Sequence, residues 1–215
     1  MSAKADIIRR LTHPGLIAVV RAKRTDQVVP LAEALVAGGI IAVEVTMSTP
    51  DALAAIRHSK QALGPRALIG VGTVLDAATA RAALDAGAEF VVSPIFRPEL
   101  VPIAHEAGRP LMLGAVTPNE AQLAHEAGAD FVKLFPADGL GPGYIKALRA
   151  PLPHLRLVPT GGVDLGSLAD FIKAGCPAVG VGGALISAQI LETDNWPELT
   201  ALARRFVTVA QQART

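Results

Sequence analysis

Lys133 stands in Phe131-Val132-Lys133-Leu134-Phe135-Pro136, one ammonium among hydrophobic and ring residues. As a strand, this segment puts Phe131, Lys133 and Phe135 on one face and Val132 and Leu134 on the other. A lysine held there has a poor route to water. Burial favours the neutral amine, which is the nucleophilic form. The plainer alternative is a strand-end lysine that reaches solvent or pairs with a carboxylate.

Glu44 is a second charge in an apolar run, Val43-Glu44-Val45-Thr46, with Thr46 on its own face. A carboxylate facing a weakly solvated amine can move protons for it; the same two residues could equally be a buried structural ion pair. Arg21 closes Val19-Val20-Arg21 and carries a planar fork suited to a carboxylate, unless it is a surface arginine. Thr73 and Thr160 offer neutral hydroxyls, although Thr73, shortly before Asp76, could instead cap a helix. Gly161-Gly162 and Gly182-Gly183 would let an anion approach the backbone closely.

Such residues act together only if the fold gathers them. One joint recurs along the chain: an Ala-rich helical end, then Ala-Gly, then a short apolar strand. It occurs before 40–45, 90–92, 111–113, 131–135 and 178–181. Glycine just past a helix accepts the left-handed conformation that ends it. Strands that are apolar throughout fit a parallel sheet buried on both faces. With 16–20, 67–72 and 155–159 the strands number eight, separated by helices near 26–36, 51–63, 77–85, 98–106, 118–126, 143–149 and 166–173. Further helices are expected at 3–11 and 196–211. This alternation predicts a single-domain (β/α)8 TIM barrel over 1–215 with an additional N-terminal helix. The competing architecture is a doubly wound open sheet, but no Gly-x-Gly-x-x-Gly follows the first strand.

A barrel collects its chemistry at the C-terminal ends of the strands. Arg21, Glu44, Thr73, Lys133, Thr160 and both glycine pairs fall there. Strands two and six are on opposite sides of the barrel, so Glu44 and Lys133 would approach each other across its mouth. His105 and His125 fall at helix ends on the far side, as does Cys176, while His13, His58 and His154 flank turns or helices.

Composition narrows the remaining classes. The 215 residues are 51% hydrophobic, 18% charged and 4% aromatic, with a formal charge of +1. That is a globular core with little for bases to stack on and no basic run, so neither nucleic acid nor membrane is an expected partner. The one cysteine has no internal disulfide partner, and no Cys/His cluster suggests a metal. No signal-peptide pattern or apolar span of roughly 18 residues is evident, so a cytoplasmic location is expected.

The motifs Ile17-Ala18-Val19-Val20-Arg21, Val43-Glu44-Val45-Thr46, Gly70-Val71-Gly72-Thr73-Val74-Leu75, Ser93-Pro94, Lys133-Leu134-Phe135-Pro136, Pro159-Thr160-Gly161-Gly162-Val163 and Gly180-Val181-Gly182-Gly183 occur in order over about 170 residues. Together they resemble the class I pyruvate aldolases that cleave 2-keto-3-deoxy-6-phosphogluconate, 4-hydroxy-2-oxoglutarate or 2-keto-3-deoxy-6-phosphogalactonate. The resemblance implies Lys133 as the Schiff-base lysine and Glu44 as the general acid/base. It implies Arg21 and Thr73 at the keto-acid end, and Gly161, Gly162, Gly182 and Gly183 around a phosphate. It also implies a homotrimer that needs no cofactor or metal, with a sugar acid and pyruvate as its small-molecule ligands. Two positions depart from the family. Ser48 stands where gluconate-cleaving members commonly carry arginine, as galactonate-cleaving members also lack it. Ala184 stands where many members carry serine, which removes a phosphate contact of roughly 1–3 kcal/mol. The C4 configuration and the need for phosphate therefore stay open, and a barrel epimerase or isomerase is the rival enzyme class.

Overall fold

The computed structural model describes residues 3–215, so the first two residues of the expected domain lie outside the described residues. Eight parallel strands follow one another around the sheet: β1 (Leu16–Val20), β2 (Ala42–Thr46), β3 (Leu68–Gly72), β4 (Val91–Val92), β5 (Leu111–Ala115), β6 (Phe131–Leu134), β7 (Leu157–Pro159) and β8 (Val179–Val181). β8 pairs with β1 through Leu16–Val179, and a single parallel bridge, Thr160–Gly180, joins the end of β7 to β8. That bridge closes the sheet into a (β/α)8 barrel and rules out the open doubly wound alternative.

The surrounding helices are α1 (Ala3–Thr12), α2 (Val28–Ala37), α3 (Ala52–Leu63), α4 (Ala77–Asp85), α5 (Leu100–Glu106), α6 (Pro118–Glu126), α7 (Gly141–Arg149), α8 (Leu168–Lys173), α9 (Ala188–Thr193) and α10 (Trp196–Gln212). Local chemistry sets their ends. Thr117 and Glu120 form a reciprocal capping box on α6, and Asp76 caps α4 by accepting from the Thr79 amide. The Ala-Gly joints end helices as expected, for example at Gly87 and Gly128, whose φ values are 102° and 98°. At the first joint the left-handed residue is Gly39 (φ 94°), not Gly38. Gly38 is instead packed so closely on α10 that a side chain there would strike Ala203.

Two cores result. Outward-facing strand residues such as Val43, Val45, Val132 and Leu134 pack under the helices. Inward-facing Ile17, Leu68, Phe90, Met112, Phe131 and Val158 fill the lower barrel, and Ile7 and Leu11 of α1 plug it from below. Each of these larger side chains contributes roughly 1.5–3 kcal/mol by burial. The upper barrel is filled differently, by Glu44, Lys133 and Thr160 among glycines. Among the described residues no helix is long and apolar enough to cross a membrane.

Candidate active site

β6 delivers Lys133 to the barrel interior, as its alternation requires. The residue is 5% exposed, and its Nζ lies 3.1 Å from Oε1 of Glu44 and 5.4 Å from the centre of the Phe135 ring. Glu44, on β2, is 2% exposed. Glycine makes this meeting possible: a Cβ on Gly72, the neighbour on β3, would overlap the Glu44 carboxylate. Gly180 gives Thr160 room in the same way. A buried ion pair is poor evidence of stabilisation, because removing both charges from water costs about as much as their attraction returns. As chemistry, it is an amine and a carboxylate at proton-transfer distance.

A cavity of about 410 Å³ opens at the C-terminal end of the strands. Its wall brings together Arg21, Thr160, Gly161, Gly162, Gly182 and Gly183, all expected from the sequence. Lys133 and Glu44 are not on that wall; Val19, Phe135 and Thr160 line it, and the ion pair is buried in the barrel. Thr73 is also off the wall, at the end of β3. It adopts φ 60°, a left-handed conformation that is strained for a β-branched residue by about 1–3 kcal/mol. Its hydroxyl does not cap α4, because Asp76 does.

The two glycine pairs differ physically. Gly161 and Gly162 have φ values of 93° and 67°, and added Cβ atoms would come within 2.8 and 2.7 Å of the Asp138 carboxylate. Backbone shape alone therefore demands glycine there. Gly183 has nothing within 4 Å of a Cβ position, and Gly182 meets only the Val19 carbonyl at 4.0 Å. Their missing side chains leave open cavity. Among the described residues, the amides of Gly162, Gly183 and Ala184 donate to no protein acceptor. They are free to meet an anion.

Phe135, Asp138 and Asp164 also line the wall, although neither strand alternation nor motif spacing picks out the two aspartates. Asp138 had one available signal: it lies in the loop directly after the lysine strand. The Asp164 carboxyl is held below its usual range by the backbone and side-chain hydrogen bonds of Ser167, so it is an anion at the rim.

Other candidates are occupied elsewhere. Burial pushes the Cys176 thiol up to about 12. His105 contacts Asp130, and His125 meets His154 at a tilted ring contact, both away from the cavity. Among the described residues no three His, Cys, Asp or Glu side chains are grouped so as to hold a metal ion.

The family model described as KDPG and KHG aldolase matches residues 7–202. The chain belongs to this family. It is an aldolase, a carbon–carbon lyase. It is 38% identical over 206 residues to the 2-dehydro-3-deoxy-phosphogluconate aldolase of Pseudomonas aeruginosa, covering 94% of this chain and 91% of that one. A solved structure named native KDPGal superposes with a TM-score of 0.86 at 34% identity, covering 93% of this aldolase and 95% of its own chain. The KDPG aldolase of Legionella pneumophila, with pyruvate captured at low pH as a covalent carbinolamine intermediate, superposes at 0.82 with 31% identity, covering 88% and 92%.

Proposed function

We propose that this aldolase is a class I enzyme that cleaves a 2-keto-3-deoxy-6-phospho sugar acid, of the gluconate or galactonate series, to pyruvate and glyceraldehyde 3-phosphate. The observation that carries this reading is the buried Lys133–Glu44 contact of 3.1 Å inside the barrel mouth. The carbinolamine of the Legionella relative supports a covalent route.

The Lys133 ammonium gives a proton to Glu44, and the neutral amine left behind attacks the C2 ketone, its extra N–H proton passing to the ketone oxygen. The carbinolamine loses water, with Glu44 protonating the leaving hydroxyl, and an iminium forms. Glu44, again a carboxylate, takes the C4 hydroxyl proton, the C3–C4 electron pair moves into the iminium, the aldehyde departs, and the proton held by Glu44 is the one available for C3. The resulting enamine takes a proton at C3. Water then releases pyruvate and restores the amine. The iminium is the electron sink, so no separate cofactor is needed for this step. Arg21 and Thr73 hold the substrate carboxylate, and Thr160 lies beside the reacting carbons. The amides of Gly161, Gly162, Gly182 and Gly183 face the phosphate. We further propose that 1–215 act as one domain, assembled as a homotrimer in the cytoplasm.

A second reading keeps the chemistry and drops the phosphate. It is favoured by Ser48 and Ala184 and by the Asp138 carboxylate beside Gly161 and Gly162. Assaying pyruvate release from the gluconate and galactonate epimers, each with and without phosphate, separates the two. Release at least tenfold faster from a phosphorylated epimer supports the first reading; equal or faster release from an unphosphorylated one supports the second. Failure to release pyruvate from any of the four defeats both.

A further inference from the structure

We infer that Ser48 is a positioning residue that orients Arg21 for the carboxylate of the keto acid. The inference rests on the reading of Arg21 as the carboxylate site.

Arg21 directly follows β1 and carries an exposed, long side chain. Gripping a planar carboxylate with two parallel hydrogen bonds requires its guanidinium plane to be fixed. The structure fixes it from one edge. Arg21 Nε donates to Ser48 Oγ at 3.0 Å. Ser48 Oγ lies 2.9 Å from Thr46 Oγ1, and Thr46 donates to the Val20 carbonyl at 3.0 Å.

The proton directions follow from counting. A carbonyl only accepts, so the single Thr46 hydroxyl hydrogen goes to Val20. Thr46 Oγ1 must then accept from Ser48. The Ser48 hydrogen is therefore used, and Ser48 presents a lone pair to Arg21. The relay runs Arg21 to Ser48 to Thr46 to Val20, leaving β1 and returning to it. Thr46 is buried on the Glu44 face of β2, so the relay is anchored in the barrel and not in a loose loop. A second tie, from the Ala22 amide to Thr49 Oγ1 at 3.3 Å, holds the same two loops together.

With Nε engaged, the two Nη groups remain. Among the described residues they make no hydrogen bond or ion pair, and Arg21 lines the cavity. A cation with two free parallel donors and no acidic partner lacks only a planar anion. Ser48 is thus more than the place of a missing arginine.

The test uses the full-length enzyme and pyruvate, whose methyl protons a Schiff-base aldolase exchanges with deuterium in heavy water. Ser48→Ala should raise the KM for pyruvate about three- to tenfold, modest because the contact is exposed, with kcat within about twofold. Ser48→Thr, which keeps the hydroxyl, should restore most of the KM. In Arg21→Met, which removes the guanidinium, KM should rise further, and adding Ser48→Ala should change it no more. An unchanged KM in Ser48→Ala overturns the inference. So does equal loss in the Ala and Thr variants, or full additivity with Arg21→Met. If Arg21→Met itself keeps the wild-type KM, the carboxylate assignment of Arg21 fails and takes this inference with it. Absence of exchange by the wild-type enzyme overturns the Schiff-base reading itself.

Discussion

Lys133 Nζ and Glu44 Oε1 meet at 3.1 Å although 89 residues separate them in the chain. They stand on β6 and β2, on opposite sides of the closed barrel, and each is flanked by residues that turn outward under the helices. The contact therefore depends on closure as well as on either strand's own sequence.

Glu44→Gln keeps the shape and removes the proton carrier. Turnover should fall about 10²–10⁴-fold, the usual weight of a positioned acid/base, with a much smaller change in KM. Steady-state kinetics on the best substrate measures this. A loss below fivefold would make Glu44 a structural partner of the lysine only.

Gly72 and Gly183 should respond oppositely to the same substitution. An added methyl at Gly72 overlaps the Glu44 carboxylate, so Gly72→Ala should displace it and cut kcat at least about tenfold. Gly183 has ordinary φ and open space, so Gly183→Ala should leave stability within about 0.5 kcal/mol. Thermal melts and turnover of the two variants check the contrast.

Cys176 gives an alkaline prediction. Its thiol is raised from 9.0 to about 12 by burial. Between those values the unfolded chain releases the proton and the folded chain retains it, so stability falls as pH rises through that window. Below pH 9 the group contributes no pH dependence. Cys176→Ala should flatten the decline in denaturant midpoints, and the native thiol should resist alkylation at pH 8.

Helix caps contribute to the acid limb. Backbone hydrogen bonds lower Asp76 (to the Thr79 amide) and Glu120 (to the Val116 and Thr117 amides) from their usual 3.8 and 4.5. Depressed carboxylates contribute stability above the unfolded values and lose it as pH falls through the folded ones. Asp76 is exposed and Glu120 only half-buried, so each step is small. Glu120→Gln should reduce the pH dependence of unfolding below about pH 4.5 without altering it at pH 7.

Much of this was legible in the sequence because strand alternation is a strict rule. It assigned Lys133 and Glu44 to the interior, and the strand count then faced them across the mouth. The glycine pairs were legible by position, but their difference was not: only coordinates show that Gly161 and Gly162 accommodate Asp138 while Gly183 borders open space. Ser48 read as a lost charge because its partner, Arg21, is 27 residues away on another loop. The left-handed φ of Thr73 had no signal, since β-branched residues disfavour it. Helix α9 went unread because six residues are too few to show a period.

Everything proposed for the site depends on a covalent bond between Lys133 and the substrate. Incubating the enzyme with pyruvate and borohydride, then mapping peptides by mass spectrometry, tests it directly. One reduced pyruvate on Lys133 is expected, abolished together with activity in Lys133→Met. No adduct, an adduct on another lysine, or a Lys133→Met variant as active as wild type would contradict it.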